Sequence, residues 1–201
     1  MTLLAHRHAL VRRVFLSLAA GSAAALVVSP ALAADPAKLI QDVSTEVIEL
    51  IKTTSGAQRE AGIRKVLETN FDLPYMGRSA LATYWDKTNE EQRARFLKAA
   101  IAAEAKAYSE RFGQYGGQTL AVGKVVNRPN GVHVVESKLN QSNGQPIKID
   151  WEVRNDRISD VKIEGVSMVA TRRSDYKSYI SNHGNQVEAL IDELEQRAKS
   201  Q

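Results

Sequence analysis

The sequence predicts an α+β fold: a twisted antiparallel sheet of about four strands wrapped by N- and C-terminal helices. Apolar residues recur at helical spacing before residue 113, alternate between polar neighbours from 118 to 164, and return to helical spacing after 168. Helices, then a meander, then helices is the order of an α+β domain. A chain of 201 residues, 43% apolar and 25% charged, is long enough to bury a substantial core within one domain.

Residues 1–33 precede that domain. They hold three arginines, two histidines and no acid, then an apolar stretch from Val14 to Val28, then Ala31-Leu32-Ala33. A basic segment, an apolar segment and small residues form an export signal, with cleavage expected after Ala33. Val11-Arg12-Arg13-Val14-Phe15-Leu16 resembles a twin-arginine signal. The expected organisation is therefore a cleaved signal over 1–33 and a single domain over 34–201, located in the periplasm. Neither the signal nor any later segment reaches the roughly 20 apolar residues of a spanning helix.

Each element has its own signal. Asp35-Pro36 reads as a helix cap followed by proline at the first helical position. Ile40, Val43, Val47, Leu50 and Ile51 then share one face, which predicts a helix over about 36–53. Ile63, Val66, Leu67 and Phe71 mark a second helix, and a third is expected from Pro74 to Trp85. Thr88 and Glu91 have capping-box spacing ahead of a long helix, whose stripe is Leu97, Ile101, Ala105, Tyr108 and Phe112. Turn signals at Asn130-Gly131 and Asn143-Gly144 separate strands over 118–127, 132–140 and 146–154. In the third strand Ile147, Ile149, Trp151 and Val153 lie on one face, and Lys148, Asp150, Glu152 and Arg154 on the other. A fourth strand is expected over 157–164, then helices over 168–182 and 186–199, the first capped by Ser167.

Composition excludes several functions. Without cysteine there is no disulfide framework, thiol catalysis or zinc–thiolate site. The full chain has 27 basic and 23 acidic residues; without the three basic residues of the signal the balance is 24 minus 23, or +1. Nucleic acid would want a basic face, so none is expected as a partner. Gly165-Val166-Ser167-Met168-Val169 lacks the closing glycine of a nucleophile elbow. No metal motif and no phosphate loop is present, so neither a metal nor a cofactor is expected.

The stretch FDLPYMGRSALATYW, residues 71–85, is unusually aromatic. It suits an ordinary core wall, and it equally suits one side of an apolar ligand cavity facing the sheet that bears Trp151. Periodicity does not separate the two.

Two longer segments carry a resemblance. Phe71-Asp72-Leu73-Pro74-Tyr75-Met76-Gly77-Arg78 with Ala80-Leu81, Tyr84-Trp85, Gln92-Arg93, Phe96 and Tyr108 resembles the N-terminal signature of the MlaC and toluene-tolerance family of periplasmic lipid carriers. Asp160-Val161, Ile163-Glu164-Gly165-Val166-Ser167-Met168, Arg173, Tyr176, Gly184, Leu190 and Leu194 are similar to its C-terminal signature. Relatives commonly have Leu-Gly where Leu81-Ala82 stands here, and a tryptophan and a tyrosine where Asp156 and Ser159 stand. The ending Glu-Gly-Val-Ser-Met with Thr171 and Arg172-Arg173 resembles the hopanoid-associated HpnM branch.

The resemblance implies a sheet and helices enclosing a hydrophobic pocket, and a non-enzymatic carrier. Its cargo would be a phospholipid or a hopanoid. Its partners would be an inner-membrane ABC transporter with an MCE-type subunit and an outer-membrane lipoprotein complex; a monomer suffices. Apolar positions on inward faces give the candidate lipid-binding residues Tyr75, Met76, Leu81, Trp85, Leu97, Ile101, Tyr108, Trp151, Val153, Ile163 and Val166, with Arg78 and Arg154 at the pocket mouth. The rival classes are a small exported enzyme using Asp150 or His133 as base, with a partly polar cleft, and a scaffold whose helices close fully on the sheet.

Overall fold

A computed structural model describes residues 35–142 and 144–199. The export signal expected over 1–33, with its expected cleavage after Ala33, lies outside the described residues. Helix α1 is Pro36–Thr53, α2 Gly56–Asn70, α3 Leu73–Leu81 and α4 Glu90–Phe112, with a 3-10 segment at Ala82–Lys87. Strands β1 Thr119–Arg128, β2 Val132–Asn140, β3 Ile147–Arg154, β4 Arg157–Ile163 and β5 Val166–Ser167 follow, then α5 Met168–Asn182 and α6 Val187–Lys199.

Local chemistry sets most of these boundaries. The Asp35 carboxylate accepts from the Ala37 N–H at 2.9 Å, with Pro36 opening α1 as expected. Arg59 of α2 donates to the carbonyls of Ile51 and Thr54, which the end of α1 leaves without helical partners. Asp72 caps α3 by accepting from the Tyr75 N–H. Ser167 caps α5 through the Ala170 N–H, and the buried Asp160 carboxylate accepts from the Val169 N–H beside it.

Three expectations are corrected. The helix over 74–85 is broken at Ala82, whose backbone adopts φ 48°, ψ −122°. The capping box before α4 pairs Asn89 with Gln92, one residue later than Thr88 and Glu91; the Thr88 hydroxyl is already donated to the Trp85 carbonyl at 2.6 Å. The sealed stripe of α4 is Phe96, Ala99, Ala102, Ala105 and Ser109, sharing only Ala105 with the expected one, because α4 packs against both α2 and α6 and small residues allow close approach.

The sheet is a meander in the order β1-β2-β3-β4-β5, antiparallel throughout. Asn155-Asp156 (φ 47° and 59°) form a two-residue turn with positive φ at both positions, whose twist matches that of the strands it joins, and Asn130 and Gly131 (φ 61° and 67°) close the three-residue turn that begins at Pro129. The unexpected fifth strand is two residues long, beyond the Glu164-Gly165 turn.

Two apolar cores result. One joins α1 and α2 to the sheet through Ile40, Val43, Val66, Phe71, Val135, Val153 and Ile158. The other lies among the helices, centred on Leu81, Phe96, Tyr176, Ile180, Leu190 and Ile191.

Positive φ at Ala82 is a conformation that glycine adopts without strain, so Ala82→Gly is expected to stabilise the fold by about 1 kcal/mol. Thermal unfolding followed by circular dichroism should show a midpoint raised by about 3 °C; a lowered midpoint would contradict the strain at this residue.

Candidate functional site

The register of the meander stacks the apolar residues of one sheet face into cross-strand rows. Val153 pairs with Ile158, which bridges to Phe71. The next row runs Val125, Val135, Trp151, Val161. Beyond it come Val122, Ser137, Ile149, Ile163 and Val166, and then Leu120, Leu139 and Ile147.

Cover over these rows is graded. Val153 is 1% exposed and Ile158 0%, under α1 and α2. Trp151, Val161, Leu120, Val122 and Val125 are only half-buried, as are Leu73 and Met76 of α3, which pack on the same core. At the far end Ile163 is 37% exposed and Val166 56%. The helical layer thus seals one end of an apolar face and leaves the other end open.

The polar groups within this face satisfy one another. Trp151 Nε1 donates to Ser137 Oγ at 2.9 Å, and that hydroxyl donates to the Ile149 carbonyl at 2.9 Å. An apolar group lying on the strip therefore meets no orphaned donor or acceptor there.

The expected site residues are divided among distinct places. Met76, Trp151 and Val153 meet in the sheet-side core, and Ile163 and Val166 extend the same face into solvent. Leu81 is sealed in the helical core, with Trp85 and Leu97 half-buried against it. Ile101 and Tyr108 are half-buried on α4, where Tyr108 stacks on Phe112 at 5.8 Å. Tyr75 and Arg78 are exposed on α3. Arg154, expected at the pocket mouth, lies on the opposite, charged face of the sheet, where its guanidinium sits 5.3 Å from the centre of the Tyr75 ring. Strand alternation had already put it there. Leu73, Ile149 and Val161 belong to the strip and were not among the candidates, although Ile149 and Val161 alternate in phase with Trp151.

The titratable groups are arranged as structural pairs. Burial pushes the Tyr176 hydroxyl well above its usual range, and burial, with Glu104 nearby, also raises Tyr108. His133 Nδ1 is 2.8 Å from Asn127 Oδ1, whereas Asp150 belongs to the other face of the sheet, so the two proposed bases do not share a site. Among the described residues no group of three or more acids and histidines could hold a metal ion, and no helix is long and apolar enough to cross a membrane.

Fold and strip together define a class: an α+β domain whose own helices leave part of its apolar sheet face uncovered. The family model for the MlaC protein matches residues 41–196, and the chain belongs to that family. Its fold is similar to that of a phospholipid-binding protein from Ralstonia solanacearum solved in complex with a phospholipid, with a TM-score of 0.68 at 20% identity, covering 82% of this chain and 97% of that one. No curated protein matches the chain.

The gradient of cover has a mechanical consequence. Ile158→Ala is expected to cost about 3 kcal/mol, whereas Ile163→Ser and Val166→Ser should each stay within about 0.5 kcal/mol of the parent. Urea unfolding of the three variants checks this; equal losses at Ile163 and Ile158 would mean that the open end is ordinary core.

Proposed function

We propose that this protein is a periplasmic lipid carrier that holds acyl chains against the open end of the apolar sheet face. The observation that carries the reading is the gradient from Val153 and Ile158, sealed, to Ile163 and Val166, exposed, along one continuous face. Each methylene moved from water onto such a surface contributes about 0.8 kcal/mol, so a strip several residues long competes with a bilayer for a lipid tail. Membership of the MlaC family and the fold shared with a phospholipid-binding protein support the same reading.

The cargo proposed is a phospholipid, passed between the outer membrane and an inner-membrane ABC transporter with an MCE-type subunit. Binding alone meets that task, and the apolar strip contains no paired acid and base, which supports a carrier over an enzyme.

Mass spectrometry of an organic extract of the purified protein is expected to find co-purifying lipid. Ile163→Glu sets a charge in the path of the acyl chain and should reduce lipid per protein about tenfold, with an unchanged circular dichroism spectrum because Ile163 already meets solvent. A hopanoid in the extract would keep the carrier and change its cargo. Protein that emerges without lipid and takes none from vesicles would refute the proposal.

A further inference from the structure

The face of the sheet turned away from the apolar strip holds a cavity of about 430 Å³, lined by Arg128, Val132, Val134, Asp150, Glu152, Arg154 and Lys162. Register orders these residues. Arg128 pairs with Val132, which stands one residue beyond the His133–Val153 pair and so beside Arg154. Two arginines therefore flank one buried valine in a single cross-strand row. Glu152 occupies the next row, and Asp150 and Lys162 the one after.

Most of the charges on this face are already spent on one another. Lys162 Nζ is 2.6 Å from Glu152, and Lys148 Nζ is 3.0 Å from Asp150. The two arginines are different. Arg128 has no ion pair among the described residues, and Arg154 reaches Glu152 only at 3.9 Å. The Tyr75 ring holds the Arg154 guanidinium from one side, while its Nε–H is buried and has no acceptor among the described residues. The terminal nitrogens of Arg154, whose side chain is 34% exposed, are the donors that an anion can reach, and a charge-assisted hydrogen bond to them is stronger than a neutral one. At the opposite end Asp150 Oδ1 is buried without a donor, which excludes an anion there and confines one to the arginine end.

We propose that this cavity binds a phosphate group between Arg128 and Arg154, over Val132. The strands carrying the two arginines lie on either side of β2, about 10 Å apart, a gap that two long side chains close from opposite directions. Guanidinium groups present planar forks of donors, and a phosphate has enough oxygens to accept from both. The phosphate could belong to a soluble ion or ester, or to a phospholipid headgroup at a membrane surface. The site is on the other face from the apolar strip, and the proposal stands independently of what occupies that strip.

The test is an NMR titration of the full protein with inorganic phosphate, in parallel with co-sedimentation on phosphatidylcholine vesicles containing phosphatidylglycerol. Saturable shifts at Arg128, Val132 and Arg154, weakened roughly tenfold in Arg128→Gln and in Arg154→Gln, are expected if the ligand is a soluble phosphate. Co-sedimentation that requires both arginines, without a response to inorganic phosphate, assigns the site to a lipid headgroup. Lys138→Gln removes the same charge from the same face outside the cavity and should change neither readout. Arg128 is exposed, so its variant folds even where loss of the Arg154–Tyr75 contact is disruptive. An absent response to both probes, or an equal loss in Lys138→Gln, overturns the proposal.

Discussion

The joint between Phe71 and Ile158 is the contact on which the arrangement of the molecule depends. There the chain leaving α2 lies against β4 as a one-residue parallel bridge, and the Asp72 N–H donates to the Ile158 carbonyl at 2.8 Å. Arg157 reaches back to the carbonyls of Phe71 and Glu68 at 3.1 and 3.2 Å. Helix α2 is thereby made to end over the Val153–Ile158 row, and α3 to begin from it. One end of the apolar face is sealed because the helices are fastened there, and the other end is open because they are not. The same joint also occupies part of the β4 edge, and β5 occupies more of it at Lys162 and Ile163, so the edge offers few free groups for strand addition.

The two cores have separate jobs. The helical one is closed by specific contacts: Phe96 meets Tyr176 edge to face at 5.7 Å, and at Gly77 a Cβ would stand 2.3 Å from Leu97 Cδ2, so a larger residue there would displace the Leu97 side chain. Arg95 of α4 adds ion pairs to Glu188, Asp192 and Glu195 of α6, which contribute little in solvent and serve mainly to register the two helices. The sheet-side core includes no residue of α4, α5 or α6. Its half-buried members can therefore meet a ligand without any change in the helical core, and α3, which sends Leu81 to one and Met76 to the other, is the element that links them.

The strands were legible because their signals are local. Alternation and the Asn130-Gly131 turn place β1 to β4 within about a residue, and Asp35-Pro36 and Ser167 mark helix starts that the side-chain hydrogen bonds repeat. The break at Ala82 was not legible from Leu81 and Ala82, both good helix formers; it comes from the need to turn the chain from α3 toward α4. The stripe of α4 was misread because two neighbours pack on it, and one hydrophobic period describes one buried face. For the site, alternation finds Trp151 and Val153 but is blind to cover. Val153 and Ile163 have the same phase in neighbouring strands, yet they differ from sealed to exposed because of where α1 and α2 end.

Both faces of the sheet trace back to one eight-residue pattern. In β3 the residues Ile147, Ile149, Trp151 and Val153 build the apolar strip, and Lys148, Asp150, Glu152 and Arg154 build the charged face. A slip of one residue in pairing would exchange the faces completely. Three features resist it. The three-residue turn Pro129–Gly131 and the two-residue turn Asn155-Asp156 fix the ends of the β1–β2 and β3–β4 pairs. The irregularity between Val122 and Val125 lets β1 keep both valines on the apolar side, at a point where Gly123 lies close against the Glu136 carbonyl. The hydrogen-bonded chain from Trp151 through Ser137 to Ile149 ties the side chains of β3 to β2 in one register only, because Ser137 is the single hydroxyl among the apolar residues of β2. Ser137 thus does for the sheet what a buried polar residue does in a coiled coil: it selects which pairing is allowed, and with it which side of the sheet carries the apolar strip.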